Sequence, residues 1–257
     1  MPTVGDILNY VQTLAPPELK LDWDNVGLLC GHRDRPVSRV LVALDPFLDA
    51  AREAADLGAE LLLTHHPLIF HPCRSVSSDT ETGRVLLYLI EHGIAAVNAH
   101  TNLDRASGGV NDVLAERLGL SKIRTIPGDD GMGLLRMGEV SEEGLETFLD
   151  RVKQRLGTPV LRYAQGGGKA RRVAVGGGAC GSGIKDAIGA GCDTFVTSDL
   201  KYNDFWDARD LGLNLIDAGH FFTENPVCVY LAERVQAQFP DVFVKISENH
   251  RDCMKFR

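Results

Sequence analysis

A seven-residue block that recurs far along the chain constrains the fold more than any other feature. Gly58-Ala59-Glu60-Leu61-Leu62-Leu63-Thr64 is matched by Gly191-Cys192-Asp193-Thr194-Phe195-Val196-Thr197, and Val40-Leu41-Val42 by Val173-Ala174-Val175. Both matches hold at one offset of 133 positions (58 to 191, 40 to 173) without a gap. Residues 93–99 are echoed in turn by residues 212–218. A repeat present twice points to duplication, since a solenoid needs at least three units to bury its core.

The first copy reads as alternating strands and helices. Residues 39–44 form a strand, Asp45 is placed to cap the next helix, and Pro46 takes its first position. Gly58 closes that helix, and Leu61–Thr64 is the second strand, so the pair is parallel with a right-handed crossover. A helix over 81–92, a strand over 94–98 and a helix over 111–118 follow. Ahead of them, Val4, Ile7, Leu8, Val11 and Leu14 recur at helical spacing behind Thr3 as N-cap. Between the copies, 134–140 is a strand, Ser141 caps a helix closed by Gly157, and 160–164 is another strand. Gly166-Gly167-Gly168-Lys169 reads as a flexible connection. Beyond the second copy, Thr223 caps a helix that Glu224 opens and that runs to about residue 239. A strand over 242–246 and an exposed basic tail over 250–257 end the chain. The expected fold class is α/β: two similar lobes with mostly parallel sheets, over residues 1–125 and 126–257.

Composition narrows the function classes. Hydrophobic residues make up 44% and charged residues 24% of the 257, which excludes a disordered or fibrous chain. A formal charge of −8 argues against a protein that coats nucleic acid. The six cysteines are scattered without a C-x-x-C pair, and no run approaches 18 apolar residues. These features predict reduced thiols, no membrane span and a cytoplasmic location.

The chemistry gathers where parallel strands end, which is where open α/β sheets bind ligands. His65 and His66 stop the buried strand Leu61–Thr64 together with Pro67, which cannot donate to a ladder. His100 and Asp104 follow the third strand, and His220 and Glu224 follow its counterpart in the second lobe. Imidazoles and carboxylates without a thiolate suit zinc, manganese or iron(II) rather than a cysteine-rich structural zinc site. Six donors exceed the needs of one tetrahedral ion and match two ions bridged by a carboxylate and a water. His71, His92 and His250 are assigned to hydrogen-bonded structural positions. The loop Asp22-Trp23-Asp24-Asn25-Val26-Gly27 reads first as a turn with a buried Trp23, because clustered Asp, Asn and Gly are turn formers.

Four separated segments now resemble a known family. They are Trp23-Asp24-Asn25-Val26-Gly27-Leu28, Thr64-His65-His66-Pro67-Leu68-Ile69-Phe70, His100-Thr101-Asn102-Leu103-Asp104 and Gly219-His220-Phe221-Phe222-Thr223-Glu224. In this order they resemble the Nif-three-like dinuclear metal-centre family, the GTP cyclohydrolase I type 2 homologues, in its short form without an inserted domain. The resemblance implies two divalent ions on His65, His66, Asp104, His220 and Glu224, with His100 in a supporting or proton-transfer role. It also implies a metal-dependent hydrolase acting on GTP or another nucleotide, and a homo-oligomer, hexameric in the family. One departure stands out: Ser198 and Asn203 occupy positions where the family motif usually carries Gly and His.

Two other readings compete. A dinuclear centre can serve a non-catalytic oligomer, and a nucleic-acid-binding ring is disfavoured by the acidic balance. Separately, Gly176-Gly177-Gly178-Ala179-Cys180-Gly181 fits G-x-G-x-x-G between a strand and a helix, with Asp199 placed 18 residues on. That pattern suits a phosphate-binding turn, with Lys201 as a further phosphate contact, or a tight turn that needs glycine for steric reasons.

Overall fold

A computed structural model describes residues 1–128 and 131–257. In chain order its elements are α1 (Val4–Leu14), β1 (Gly27–Cys30), β2 (Arg39–Ala43), α2 (Leu48–Leu57), β3 (Leu61–Thr64), α3 (Glu81–Glu91), β4 (Ala95–Asn98) and α4 (Thr101–Arg105). Then come α5 (Val110–Arg117), β5 (Ser121–Thr125), β6 (Arg136–Gly144), α6 (Leu145–Leu156), β7 (Arg162–Ala164), β8 (Lys169–Val175) and α7 (Ile184–Gly189). The chain ends with β9 (Thr194–Thr197), α8 (Tyr202–Asp210), β10 (Asn214–Asp217), α9 (His220–Glu224), α10 (Pro226–Gln238) and β11 (Phe243–Ile246).

The repeat is kept in strand register. Val40 pairs with Leu61 and Leu61 with Ala95 in one sheet; Val173 pairs with Thr194 and Thr194 with Asn214 in the other. Adding 133 to the first pair and to Leu61, and 119 to Ala95, gives the second set. An antiparallel strand completes both copies, β1 beside β4 and β7 beside β10. The sheets run β1-β4-β3-β2-β11 and β5-β6-β8-β9-β10-β7, so each contains the same four-strand motif and differs in what extends it. The α/β class is met in both, and the first sheet is mostly parallel, but in the second only β8-β9 and β9-β10 are parallel while β5-β6, β6-β8 and β10-β7 are antiparallel.

Each sheet buries apolar side chains in the pattern its strands dictate. In the first, Leu41, Ala43, Leu62 and Ala96 face α2 and α3 through Ala51, Ala54, Leu86 and Leu89. In the second, Ala174, Phe195 and Leu215 point to α7 and α8, while Val173, Val175, Val196 and Ile216 point to α5 and α6 around Phe148. Alternate residues of one strand thus reach opposite covered faces, which explains the continuous apolar runs. Gly58 and Gly157 end their helices in the left-handed conformation, at φ +68° and +71°.

Several local expectations are corrected. The chain divides into two compact units, Met1–Ala106 with Val227–Asp252, and Ser107–Pro226 with Cys253–Arg257, rather than at residue 125. Leu114 and Leu118 of α5 are buried with Phe148, which places that helix in the second unit. β11 returns to pair with β2 in the first. Ser141 lies in β6, and Gly144 precedes α6 instead. Lys169 is the first residue of β8, not part of a flexible link. Thr223 lies inside α9, so His220 opens that turn and Glu224 closes it.

The return of β11 is secured by one buried carboxylate. Glu53 on α2 accepts from Ser247 Oγ at 2.5 Å and from the N–H groups of Glu248 and Asn249, each at 3.0 Å. Burial pushes its carboxyl up, but these hydrogen bonds outweigh it and hold the group below the usual range. A depressed carboxyl stabilises the fold above its unfolded value near 4.5, and that contribution disappears as pH falls through the lower folded value. Glu53→Gln is therefore expected to lose about 1.5–3 kcal/mol at neutral pH, as expected for hydrogen bonds to a charged group. Denaturant melts should show this gap closing below about pH 4.

Candidate metal centre

In the first unit, the end of β3 and the start of α4 bring three imidazoles together. His65, buried just past β3, donates from Nδ1 to the Ala99 carbonyl at 2.8 Å. His66 Nδ1 lies 2.6 Å from Asp45 Oδ1, and His100 Nδ1 lies 2.8 Å from Asp24 Oδ1. Ring centroids are 4.8 Å apart for His65 and His66, 5.2 Å for His65 and His100, and 5.5 Å for His66 and His100. One nitrogen from each of the three lies within 4.8 Å of the others. Asp104, buried on α4, places Oδ1 at 3.5 Å from His65 Nε2.

The acceptors behind these rings fix their chemistry. Burial pushes Asp24 up, yet hydrogen bonds from His100 and Thr101 bring it down to about 2. Burial also opposes ionisation of Asp45, and hydrogen bonds from His250 and His66 overcome it, holding the carboxyl well below its usual range. Ionised carboxylates and a carbonyl only accept, so the three rings donate from Nδ1 and present Nε2 on the opposite side of the ring. Carboxylate or carbonyl behind histidine is the arrangement that orients metal-binding imidazoles.

The second unit repeats the device on different side chains. His220 opens α9 with Nδ1 at 2.6 Å from Asp199 Oδ2 and Nε2 at 2.9 Å from Glu224 Oε2. Burial alone would lower the imidazole, but Asp199 and Glu224 raise it to about 10. The negative potential that holds a proton there also favours a metal cation. Asp199 is itself lowered by its hydrogen bond to His220 and adopts φ +54° at the end of β9. Glu224 is buried, and Gly178, at φ +63°, leaves it room: a Cβ there would come within 2.1 Å of Glu224 Oε1.

Within the first unit the structure brings together His65, His66, His100 and Asp104, and within the second it brings together His220 and Glu224. No cysteine belongs to either among the described residues. Asp45 caps no helix, since α2 begins at Leu48 and the carboxylate serves His66 and His250. Asp24 is likewise more than a turn former, and Trp23, expected inside, is 58% exposed. His250 is tied to Asp45 at 2.8 Å rather than loose in an exposed tail. Asp45 and Asp199 follow strand ends as the histidines do, so the same positional rule was available to find them.

The glycine turn is not a phosphate cradle. The N–H groups of Gly176, Gly177, Gly178 and Cys180 are spent on Val196 O, Asn111 Oδ1, Thr223 Oγ1 and Gly178 O, and Asp199 is engaged by His220. Close packing accounts for these glycines: Glu224 lies against Gly177 and Gly178, Leu135 and Cys180 against Gly176, and Leu200 against Gly181. Ser198 is fully buried, and Asn203 is exposed on α8 without acid or base function.

The match to known proteins spans the same residues. The family model described as Duf34/NIF3 (NGG1p interacting factor 3) covers residues 2–252. The chain belongs to the DUF34/NIF3 family. A Clostridium perfringens relative named GTP cyclohydrolase 1 type 2 homolog is 36% identical over 98% of this chain and 99% of its own. A Streptomyces coelicolor relative of the same name is 37% identical over 89% of this chain and 84% of its own. The crystal structure of a Bacillus cereus protein related to NIF3 superposes with a TM-score of 0.93 at 26% identity, covering 100% of this chain and 99% of that one.

Gly178 offers a direct test of the second cluster. Gly178→Ala combines a left-handed backbone with a side chain that displaces the Glu224 carboxylate. It is expected to destabilise the fold by about 1–3 kcal/mol. The measurement is thermal unfolding beside Gly189→Ala, where a Cβ meets nothing within 4 Å and the cost should be near zero.

Proposed function

We infer that His65, His66, Asp104, His220 and Glu224 ligate a pair of divalent ions in a metal-dependent hydrolase that acts on a nucleotide-like substrate. The observation that carries this reading is the shared orientation of the imidazoles. His65, His66 and His100 each have Nδ1 committed to a carbonyl or an ionised carboxylate, and His220 has the same backing from Asp199. A structural histidine needs no such uniform backing; a ligand does. The donor set of nitrogens and carboxylate oxygens fits zinc, manganese or iron(II).

A pair of such ions supplies Lewis acidity and brings the pKa of water toward neutrality. The chain's own residues do the rest. Asp24, ionised down to about pH 2, keeps the His100 proton on Nδ1 and leaves Nε2 as a base beside His65 and His66. His100 is thereby suited to carry a proton to or from a substrate. The names of the relatives support GTP as the first substrate to try; in that reaction water opens the guanine imidazole ring, C8 leaves as formate, and the rearranged ribose carbons close the new ring to give dihydroneopterin triphosphate. The resemblance also supports a homo-oligomer, hexameric by analogy, which sedimentation velocity would size. No helix of the described residues is long and apolar enough to cross a membrane. Among the described residues no cysteine is in a disulfide, which fits a reducing compartment such as the cytoplasm.

Elemental analysis of the purified protein beside His66→Ala and Glu224→Ala tests the centre. Close to two ions per chain are expected, with a loss of metal in both variants. Unchanged metal in Glu224→Ala would sink the five-ligand set. Protein loaded with two ions and incubated with GTP should then develop pterin fluorescence; silence under those conditions would exclude GTP and leave the metal reading standing.

A further inference from the structure

Two large aromatic side chains stand exposed beside the imidazole cluster of the first unit. Trp23 is 58% and Phe70 46% accessible. Their ring centroids are 5.5 Å apart with the planes inclined at 51°, an open angle rather than a closed stack. His100 stands edge-on to both, at 6.0 Å from Trp23 and 6.2 Å from Phe70. The same imidazole lies 5.2 Å from His65 and 5.5 Å from His66. A single ring therefore borders the aromatic surface on one side and the candidate metal ligands on the other.

The two loops are tied to each other and to the sheet. Asn25 Nδ2 donates to the Ile69 carbonyl at 2.8 Å, which ties the Trp23 loop to the Phe70 loop. Asn98 at the end of β4 donates in turn to the Asn25 carbonyl at 3.1 Å. Asp24, next to Trp23, is buried and fixed by the Thr101 N–H at 3.0 Å as well as by His100. Four hydrogen bonds thus hold in place two rings that expose apolar faces to water. Folding alone gives no reason to keep them out, because burying such rings is among the larger gains available to a side chain.

We propose that Trp23 and Phe70 form a stacking subsite for a planar heteroaromatic ring, such as a nucleobase, whose edge is presented to His100. Aromatic faces take planar π systems in offset or tilted contact, and continuity with His100 selects a substrate group over an unrelated partner. The subsite rests on the reading of the imidazole cluster as the reaction centre, but binding to it requires no metal. It supplies orientation: a base stacked on Trp23 or Phe70 has little rotational freedom, so the atom nearest His100 is set by the platform.

The chain has two tryptophans, which makes the test direct. Trp206→Phe leaves Trp23 as the sole tryptophan reporter, and α8, which carries Trp206, belongs to the second unit. The single-tryptophan protein, stripped with chelator, is titrated with guanosine, and with ribose as the non-planar control. Saturable quenching by guanosine but not by ribose is expected, with binding at least about fivefold weaker in the Phe70→Ala background, as loss of one base–aromatic stack predicts. Circular dichroism of Phe70→Ala checks that the fold is intact, and Phe70→Tyr should retain binding. Equal responses to guanosine and ribose, or guanosine binding that Phe70→Ala leaves unchanged, would overturn the proposal. So would a Trp23 emission that shifts with protein concentration and not with guanosine, which would assign the surface to self-association. Metal content is measured separately, so a failed metal centre and a failed stacking subsite give different results.

Discussion

The hydrogen bond behind each imidazole is the interaction on which the rest depends. A histidine ring can rotate and can carry its proton on either nitrogen, so as a bare side chain it specifies little. Ala99 O, Asp45, Asp24 and Asp199 remove that freedom in His65, His66, His100 and His220 respectively. Each acceptor is itself fixed: Asp45 by His250, Asp24 by Thr101, and Ala99 by its place just past β4. The strand ends place the backbone, and this outer layer decides what the side chains present. A carboxylate in that layer also adds negative charge close to the ring, favouring any cation the ring meets.

The two units show how one scaffold carries unlike ligands. At the end of β3 the chain continues as His65-His66, and at the end of β9 as Ser198-Asp199. The first pair supplies nitrogens, whereas the second supplies the acceptor that holds His220. After β4 and β10 the relation continues, since α4 and α9 are five-residue helices related by the same offset of 119 (101 to 220, 105 to 224). In α4 the carboxylate of Asp104 stands near the helix end; in α9 His220 and Glu224 occupy its two ends and meet across one turn. Duplication preserved backbone register and left the side chains at strand ends to diverge.

Much of this was readable from residue order. The apolar runs of β3 and β9, the closing glycines and the position of six ligand-type side chains follow from patterns local to a few residues. What escaped prediction depends on partners far away in sequence. Asp45 looks like a helix cap because Asp before Pro usually is one; only His66 and His250, 21 and 205 residues on, give it another task. Trp23 was expected inside because indole is apolar, and its exposure follows from neighbours that fix its loop without covering it. The glycine turn matched a phosphate signature because both uses demand small residues. At Gly178 the demand comes from Glu224, 46 residues further on.

The pairing of β11 with β2 also has a consequence for how the chain is made. The first sheet has its inner strands by Asn98, yet the β2 edge lacks its neighbour until Phe243–Ile246 emerges. At about 5–20 residues per second, the roughly 200 residues between them keep that edge open for on the order of 10–40 seconds. The second unit is continuous from Ser107 to Pro226 apart from its last few residues, and can form during this interval. An open parallel edge of Val40, Leu41 and Val42 is a ready template for another chain. Nascent copies on one messenger are therefore most exposed to mispairing in the window that β11 closes.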